Sequence, residues 1–121
     1  MQRILLVDDD DSTRKVLRLM LGQLGHEVTE ARNGLEAVAQ YDLAPADLVI
    51  TDPVMPGMDG IETILKFKQR NPRPKIIAIS GGGRFNADEL PAMAKHLGAQ
   101  QILVKPLTLE QISAAILQVS S

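Results

Sequence analysis

The sequence predicts an α/β fold: an open, doubly wound, five-stranded parallel sheet with five helices spread over its two faces. Three observations carry this. Short apolar runs alternate with amphipathic segments five times in 121 residues, with no linker, low-complexity tract or internal repeat. Four of the five runs are continuous rather than alternating, the pattern of strands covered on both sides. Strand–helix units at this spacing require parallel strands with right-handed crossovers, and the chain is far shorter than the roughly 250 residues of a closed eight-stranded barrel.

The elements follow in order. Ile4-Leu5-Leu6-Val7 is the first strand, and the next segment places Val16, Leu17, Met20, Leu21 and Leu24 on one helical face. Gly25 supplies the stop for that helix. The second strand, around Val28, is the weakest of the set. A shorter helix through Leu35, Val38 and Tyr41 opens at the turn pair Asn33-Gly34. Leu48-Val49-Ile50 is the third strand, after which Asp59 is placed to cap a helix carrying Ile61, Ile64 and Leu65. Ile76-Ile77-Ala78-Ile79 forms the fourth strand. Leu90, Met93, Ala94 and Leu97 then mark a helix with Pro91 in its first turn and Gly98 at its end. Ile102-Leu103-Val104 is the fifth strand. Leu109, Ile112 and Ile116 form the last stripe, behind a Thr108/Gln111 capping box.

Composition excludes several functions. Thirteen Lys+Arg against 15 Asp+Glu leave a net charge of -2, which offers nothing for wrapping nucleic acid. The absence of cysteine removes disulfides, thiolate metal sites and thiol catalysis. Apolar runs of four or five residues are too short for a membrane span or a signal peptide, so a soluble cytoplasmic domain is expected. No GxGxxG follows the first strand, which excludes classical dinucleotide binding.

Chemistry gathers where the strands end. Asp8, Asp9, Asp10 and Asp11 follow Val7, and Asp52 follows Ile50-Thr51. Ser80 and Gly81–Gly83 follow Ile79, and Lys105-Pro106 follows Val104. In a parallel sheet all of these lie along one edge, the edge where open α/β sheets bind ligands. Each has an ordinary reading alone. The aspartate run would be a helix start capped by Asp11 or Ser12, Asp52 a turn residue, the glycines a loop and the lysine a surface charge. Their coincidence at four strand ends argues for more. Carboxylates brought close together repel unless a cation offsets them, and oxygen-only ligands select a hard ion such as Mg²⁺. An ammonium, a hydroxyl and glycine-rich backbone N–H groups would supply donors to a phosphoryl group. With no cysteine and both histidines elsewhere, the nucleophile would be a carboxylate.

The motifs ILLVDDDDS at 4–12, DLVITDPVMPGMDG at 47–60, IIAISG at 76–81 and LVKPLT at 103–108 resemble the receiver domain of two-component response regulators. The resemblance spans essentially the whole chain as one domain, 1–121, and implies the flavodoxin-like strand order 2-1-3-4-5. It implies Asp52 as phospho-acceptor, with Mg²⁺ held by Asp9 directly, Asp8 partly through water, Asp52 and the backbone carbonyl of Val54. Ser80 would donate its hydroxyl to the phosphoryl group, Lys105 would pair with a phosphoryl oxygen, and Lys105–Pro106 matches the family's cis peptide. Asp10 and Asp11 match no ligand and read as helix-start residues. The implied partners are a histidine kinase or phosphotransfer protein and a downstream target or output domain. The output face would be built by the helix at 90–97, the fifth strand and the last helix, with a homodimer as one available assembly. Such a domain is a switch that assists its own phosphorylation and dephosphorylation rather than a conventional enzyme.

The pattern is broken in places. Pro53 removes a backbone donor beside the acceptor. Ile102 stands where many receivers carry a rotating aromatic residue, which leaves signalling to Ser80 and the Gly81–Gly83 loop, with Phe85 as a loop anchor. Val54 and Gly82 offer no polar side chain to orient water, so a phosphorylated state that is not short-lived is expected. Two other readings stay open: a phosphorylation-independent pseudo-receiver, and a haloacid-dehalogenase-type phosphatase with Asp8 attacking and Asp10 as acid/base. The sequence fits a stand-alone receiver or a piece of a longer regulator or hybrid kinase.

Overall fold

Side chains on successive strand residues point to opposite faces, so a strand apolar along its whole length needs cover on both. That demand organises the computed structural model, which describes residues 2–52, 60–70, 73–80, 98–104 and 107–120. The strands are β1 (Arg3–Val7), β2 (Glu27–Ala31), β3 (Leu48–Thr51), β4 (Lys75–Ser80) and β5 (Gln101–Val104). All pair in parallel, in the order β2-β1-β3-β4-β5 that the resemblance implies. The helices among the described residues are α1 (Asp11–Gln23), α2 (Gly34–Leu43), α3 (Gly60–Lys68) and α4 (Leu109–Ser120). The further helix expected at 90–97, with Pro91, and the expected cap Asp59 lie outside the described residues.

Alternation divides the core into two layers. Leu5, Val7, Val49, Ile76 and Ala78 face α2 and α3, where Ala37, Tyr41, Ile64 and Phe67 are buried. Ile4, Leu6, Ile50, Ile77 and Ile79 face α1 and α4, where Leu17, Leu21, Ile112 and Ile116 are buried. Tyr41 and Phe67 meet edge to face at 5.2 Å between ring centroids, joining α2 to α3. β2 is an edge strand and alternates exposed and half-buried positions until Ala31, which explains its weak apolar signal.

Three expected helix faces are rotated. Val16, Leu35 and Leu65 are 51%, 66% and 52% exposed. In α1 the buried line runs through Leu17 and Leu21, and in α2 through Gly34, Ala37 and Tyr41. In α3 Thr63, Ile64 and Phe67 are buried. Leu17, Leu21, Tyr41 and Ile64 of the expected stripes are buried as read, and the rotation brings in Gly34, Ala37 and Thr63, which a stripe read from large residues alone misses.

The helix ends are chemically specified. Asp10, not Asp11 or Ser12, caps α1: its carboxylate accepts from the Ser12 N–H at 3.3 Å and the Thr13 hydroxyl at 2.5 Å. At the other end Gly25 has φ +86°, its N–H donates to the Gly22 carbonyl, and the His26 N–H donates to the Leu21 carbonyl. That pair of bonds is a Schellman stop. Asn33 is an N-cap rather than a turn residue, accepting from the Glu36 N–H at 2.8 Å, with Gly34 already inside α2. The Thr108/Gln111 capping box forms as expected, with reciprocal bonds of 2.9 and 3.1 Å.

Two stability predictions follow from these ends. A Cβ on Gly25 would meet nothing within 4 Å, so Gly25→Ala isolates the cost of the left-handed backbone. A loss of about 1–2 kcal/mol is expected in a urea titration. His26 Nδ1 accepts from the Gln2 N–H at 3.1 Å, which only the unprotonated ring can do. Burial, then the positive amino terminus, holds its pKa below the ordinary 6.5. A depressed folded pKa contributes stability that is complete above the unfolded value and is lost as pH falls from there through the folded value. The thermal midpoint is therefore expected to drop as pH falls from about 7.5 to about 5.5, and His26→Asn should flatten that part of the profile.

Candidate functional site

The β1–β3 register builds the site. Val7 pairs with Thr51, so Asp8 and Asp52 are the next residues of two neighbouring strands. The ladder continues one step past both ends: the Asp52 N–H donates to the Val7 carbonyl, and the Asp8 N–H to the Ala31 carbonyl, each at 3.2 Å. Leu6 and Ile50 face α1 and α4. Two residues further along, alternation carries Asp8 and Asp52 to that same side.

There the carboxylates of Asp8, Asp9 and Asp52 converge, with one oxygen from each lying within 4.8 Å of the others. Asp8 and Asp52 are buried, at 2% and 8% exposure, and Asp9 is open to solvent. One Asp8 oxygen accepts from the Asp10 N–H at 2.9 Å, which turns the chain from β1 into α1. Thr51 is buried beside the pair, and its hydroxyl donates to the Asp52 carbonyl at 3.4 Å. Three carboxylates so close repel one another in a half-buried pocket, and a divalent cation is the economical offset. The donors are all oxygen, with a water-accessible side at Asp9, which fits Mg²⁺ better than a softer ion.

Sequence reasoning missed Arg14. Its guanidinium reaches from α1 to the main-chain carbonyl of Asp8 at 2.8 Å, to the Asp11 carboxylate, and to Glu30 of β2 at 3.3 Å. Burial works against its charge, but Asp11 and Glu30 outweigh that and raise its pKa above the ordinary value. The helical spacing of Asp11 and Arg14 hinted at one of these bonds. Nothing local announces Glu30, 16 residues away.

The remaining expected residues stand as follows. Ser80 ends β4 in register with Val104, so its backbone lies on the same edge of the sheet. Val54, Lys105, Pro106, Pro53, Gly81–Gly83 and Phe85 lie outside the described residues. Ile102 is a core residue of β5, packed in the layer with Ala78 and Ala99. The role of acid/base that the phosphatase reading gives Asp10 sits badly with its geometry, since both its oxygens are engaged in capping α1.

Known proteins resemble this chain along most of its length. The family model of the response regulator receiver domain matches residues 4–117. The chemotaxis protein CheY of Thermotoga maritima is 35% identical over 120 residues, covering 98% of each chain. The sensor protein EvgS of Escherichia coli is 33% identical over 115 residues, which are 95% of this chain and 9% of that protein. The solved chemotaxis protein CheY4 of Vibrio cholerae superposes with a TM-score of 0.86 at 29% identity, covering 98% of both chains.

The carboxylate cluster predicts metal-linked stability. Mg²⁺ at ten times its dissociation constant should stabilise the fold by about 1.4 kcal/mol, read as a rise in thermal midpoint. Asp52→Asn should raise the midpoint in chelator, by relieving repulsion, and remove most of the Mg²⁺ increment.

Proposed function

The chain belongs to the response regulator receiver domain family, and from that premise we propose that it is a phosphorylation-controlled switch with Asp52 as the acceptor. The observation that carries this reading is the convergence of Asp8, Asp9 and Asp52 on the carboxyl edge, with Asp52 fixed by the β1–β3 ladder. A carboxylate oxygen of Asp52 attacks the phosphorus of a phosphohistidine on a kinase or phosphotransfer protein. The O–P bond forms as the P–N bond breaks, and the departing imidazole takes up a proton.

Asp8, Asp9, Asp52 and the backbone carbonyl of Val54 would hold Mg²⁺, which when bound neutralises charge on the carboxylates and the phosphoryl oxygens. Burial of Asp52 limits water at the acyl phosphate. Ser80 and Lys105, the latter following Val104 in the sequence, would donate to the phosphoryl oxygens in this reading. The chain acts once on itself and assists its own phosphorylation and dephosphorylation, so it is a switch rather than a conventional enzyme. The added group brings about two negative charges to the edge. Ile102 is β-branched, stiff and packed in the core, so the response runs through Ser80 and the Gly81–Gly83 loop to a partner or output domain.

Acetyl phosphate with Mg²⁺ tests this directly. Peptide mapping should place the phosphoryl group on Asp52, with no incorporation in Asp52→Asn. A label on Asp8 would overturn the assignment. Failure of both acetyl phosphate and beryllofluoride to modify the chain would leave a phosphorylation-independent interaction module.

A further inference from the structure

We propose that Arg14 positions the metal-binding aspartates, holding the Asp8–Asp9 peptide plane while Glu30 of β2 orients its guanidinium. The proposal rests on the reading of Asp8, Asp9 and Asp52 as the Mg²⁺ site. Asp8 is pinned twice, by the Asp10 N–H on its side chain and by Arg14 on its main-chain carbonyl at 2.8 Å. Asp9 is different. Its carboxylate is exposed and takes no hydrogen bond from another described side chain, so among the described residues it is the backbone that sets its direction. That backbone begins at the carbonyl Arg14 holds. The Arg14 side chain is 11% exposed and planar, and three acceptors on three segments fix it: Asp8 after β1, Asp11 in α1 and Glu30 in β2. Glu30 in turn is shared, with its other oxygen 3.3 Å from Arg18 and its main-chain carbonyl bonded by Gln40 of α2 at 2.9 Å. These three acceptors hold the guanidinium in its observed orientation, and a lysine lacks the planar fork that meets them together.

Charge and positioning predict opposite signs. Arg14 is a cation beside a cation site, so if its charge were its whole effect, removing it would tighten Mg²⁺ binding. If it positions the ligands, removing it loosens binding, on the scale of about tenfold typical for residues that orient metal ligands. The chain has no tryptophan, so Mg²⁺ affinity is best read from amide chemical shifts of residues 8–11 and 52 during a MgCl₂ titration. The expected order is parent tightest, Arg14→Lys intermediate and Arg14→Met loosest, with Glu30→Gln loosened in the same direction. Amide shifts in β5 and α4 report whether each variant keeps the fold, and Arg14→Lys, which keeps the charge and loses the planar fork, carries the test should Arg14→Met fold poorly. Arg14→Met binding Mg²⁺ as tightly as the parent, or more tightly, would overturn the proposal, as would Arg14→Lys matching the parent. Unchanged affinity in Glu30→Gln would strike Glu30 from it. A parent chain whose shifts ignore Mg²⁺ would overturn the metal-site reading itself, and this proposal with it.

Discussion

The pairing of β1 with β3 in the register that sets Val7 beside Thr51 is the constraint on which the rest depends. Side chains alternate with a period of two, so a slip of one residue would exchange the two core layers along the whole strand. A slipped β1 would move Leu6 from the α1–α4 layer to the α2–α3 layer, leave Ile50 where it is, and separate Asp8 from Asp52. The site and the core thus share one registration. Burial of both faces makes that registration costly to break, since each large aliphatic side chain contributes about 1.5–3 kcal/mol when fully buried. Apolar packing in the middle of the sheet is what holds mutually repelling carboxylates together at its end.

The charge distribution shows the same trade. The chain is nearly neutral overall, yet four of its aspartates are consecutive at 8–11 and a fifth sits across the ladder at 52. Two of these do structural work that ordinary helices ask of acidic residues. Asp10 caps α1, and Asp11 sits in its first turn, where the helix dipole favours negative charge. The other members of the run, Asp8 and Asp9, join Asp52 in the cluster. A run that looks uniform in sequence is therefore divided residue by residue by the turn from strand to helix.

Much of this was legible in the sequence, for physical reasons. Continuous apolar runs need cover on both faces, so Ile4–Val7 and Leu48–Ile50 read as parallel strands with their acidic successors on one edge, and the order that sets them side by side came with the family resemblance. Gly25 and the Thr108/Gln111 pair were legible because capping chemistry is local. The rotated helix faces were not. Spacing locates a stripe only to within a residue, and the true faces of α2 and α3 include Gly34, Ala37 and Thr63, which carry little or no hydrophobic signal. Asp10 was passed over as the α1 cap because four aspartates in a row offer nearly equal caps. Only the hydrogen bond from the Asp10 N–H to Asp8 decides where the turn begins.

Arg14 was the least legible residue of the site, and the reason is general. Its partners are a main-chain carbonyl, which has no sequence signature, and Glu30 on an edge strand whose pairing is set only once the sheet forms. Both contacts exist because β2 lies beside β1 and α1 crosses back over them, so they follow from the right-handed crossover rather than from any motif. Residues that touch a ligand can be recognised by chemical type, because the ligand dictates that type. Residues that aim those ligands are dictated by topology instead, and a basic side chain three positions into a helix looks like any other surface charge until the strand beneath it is in place.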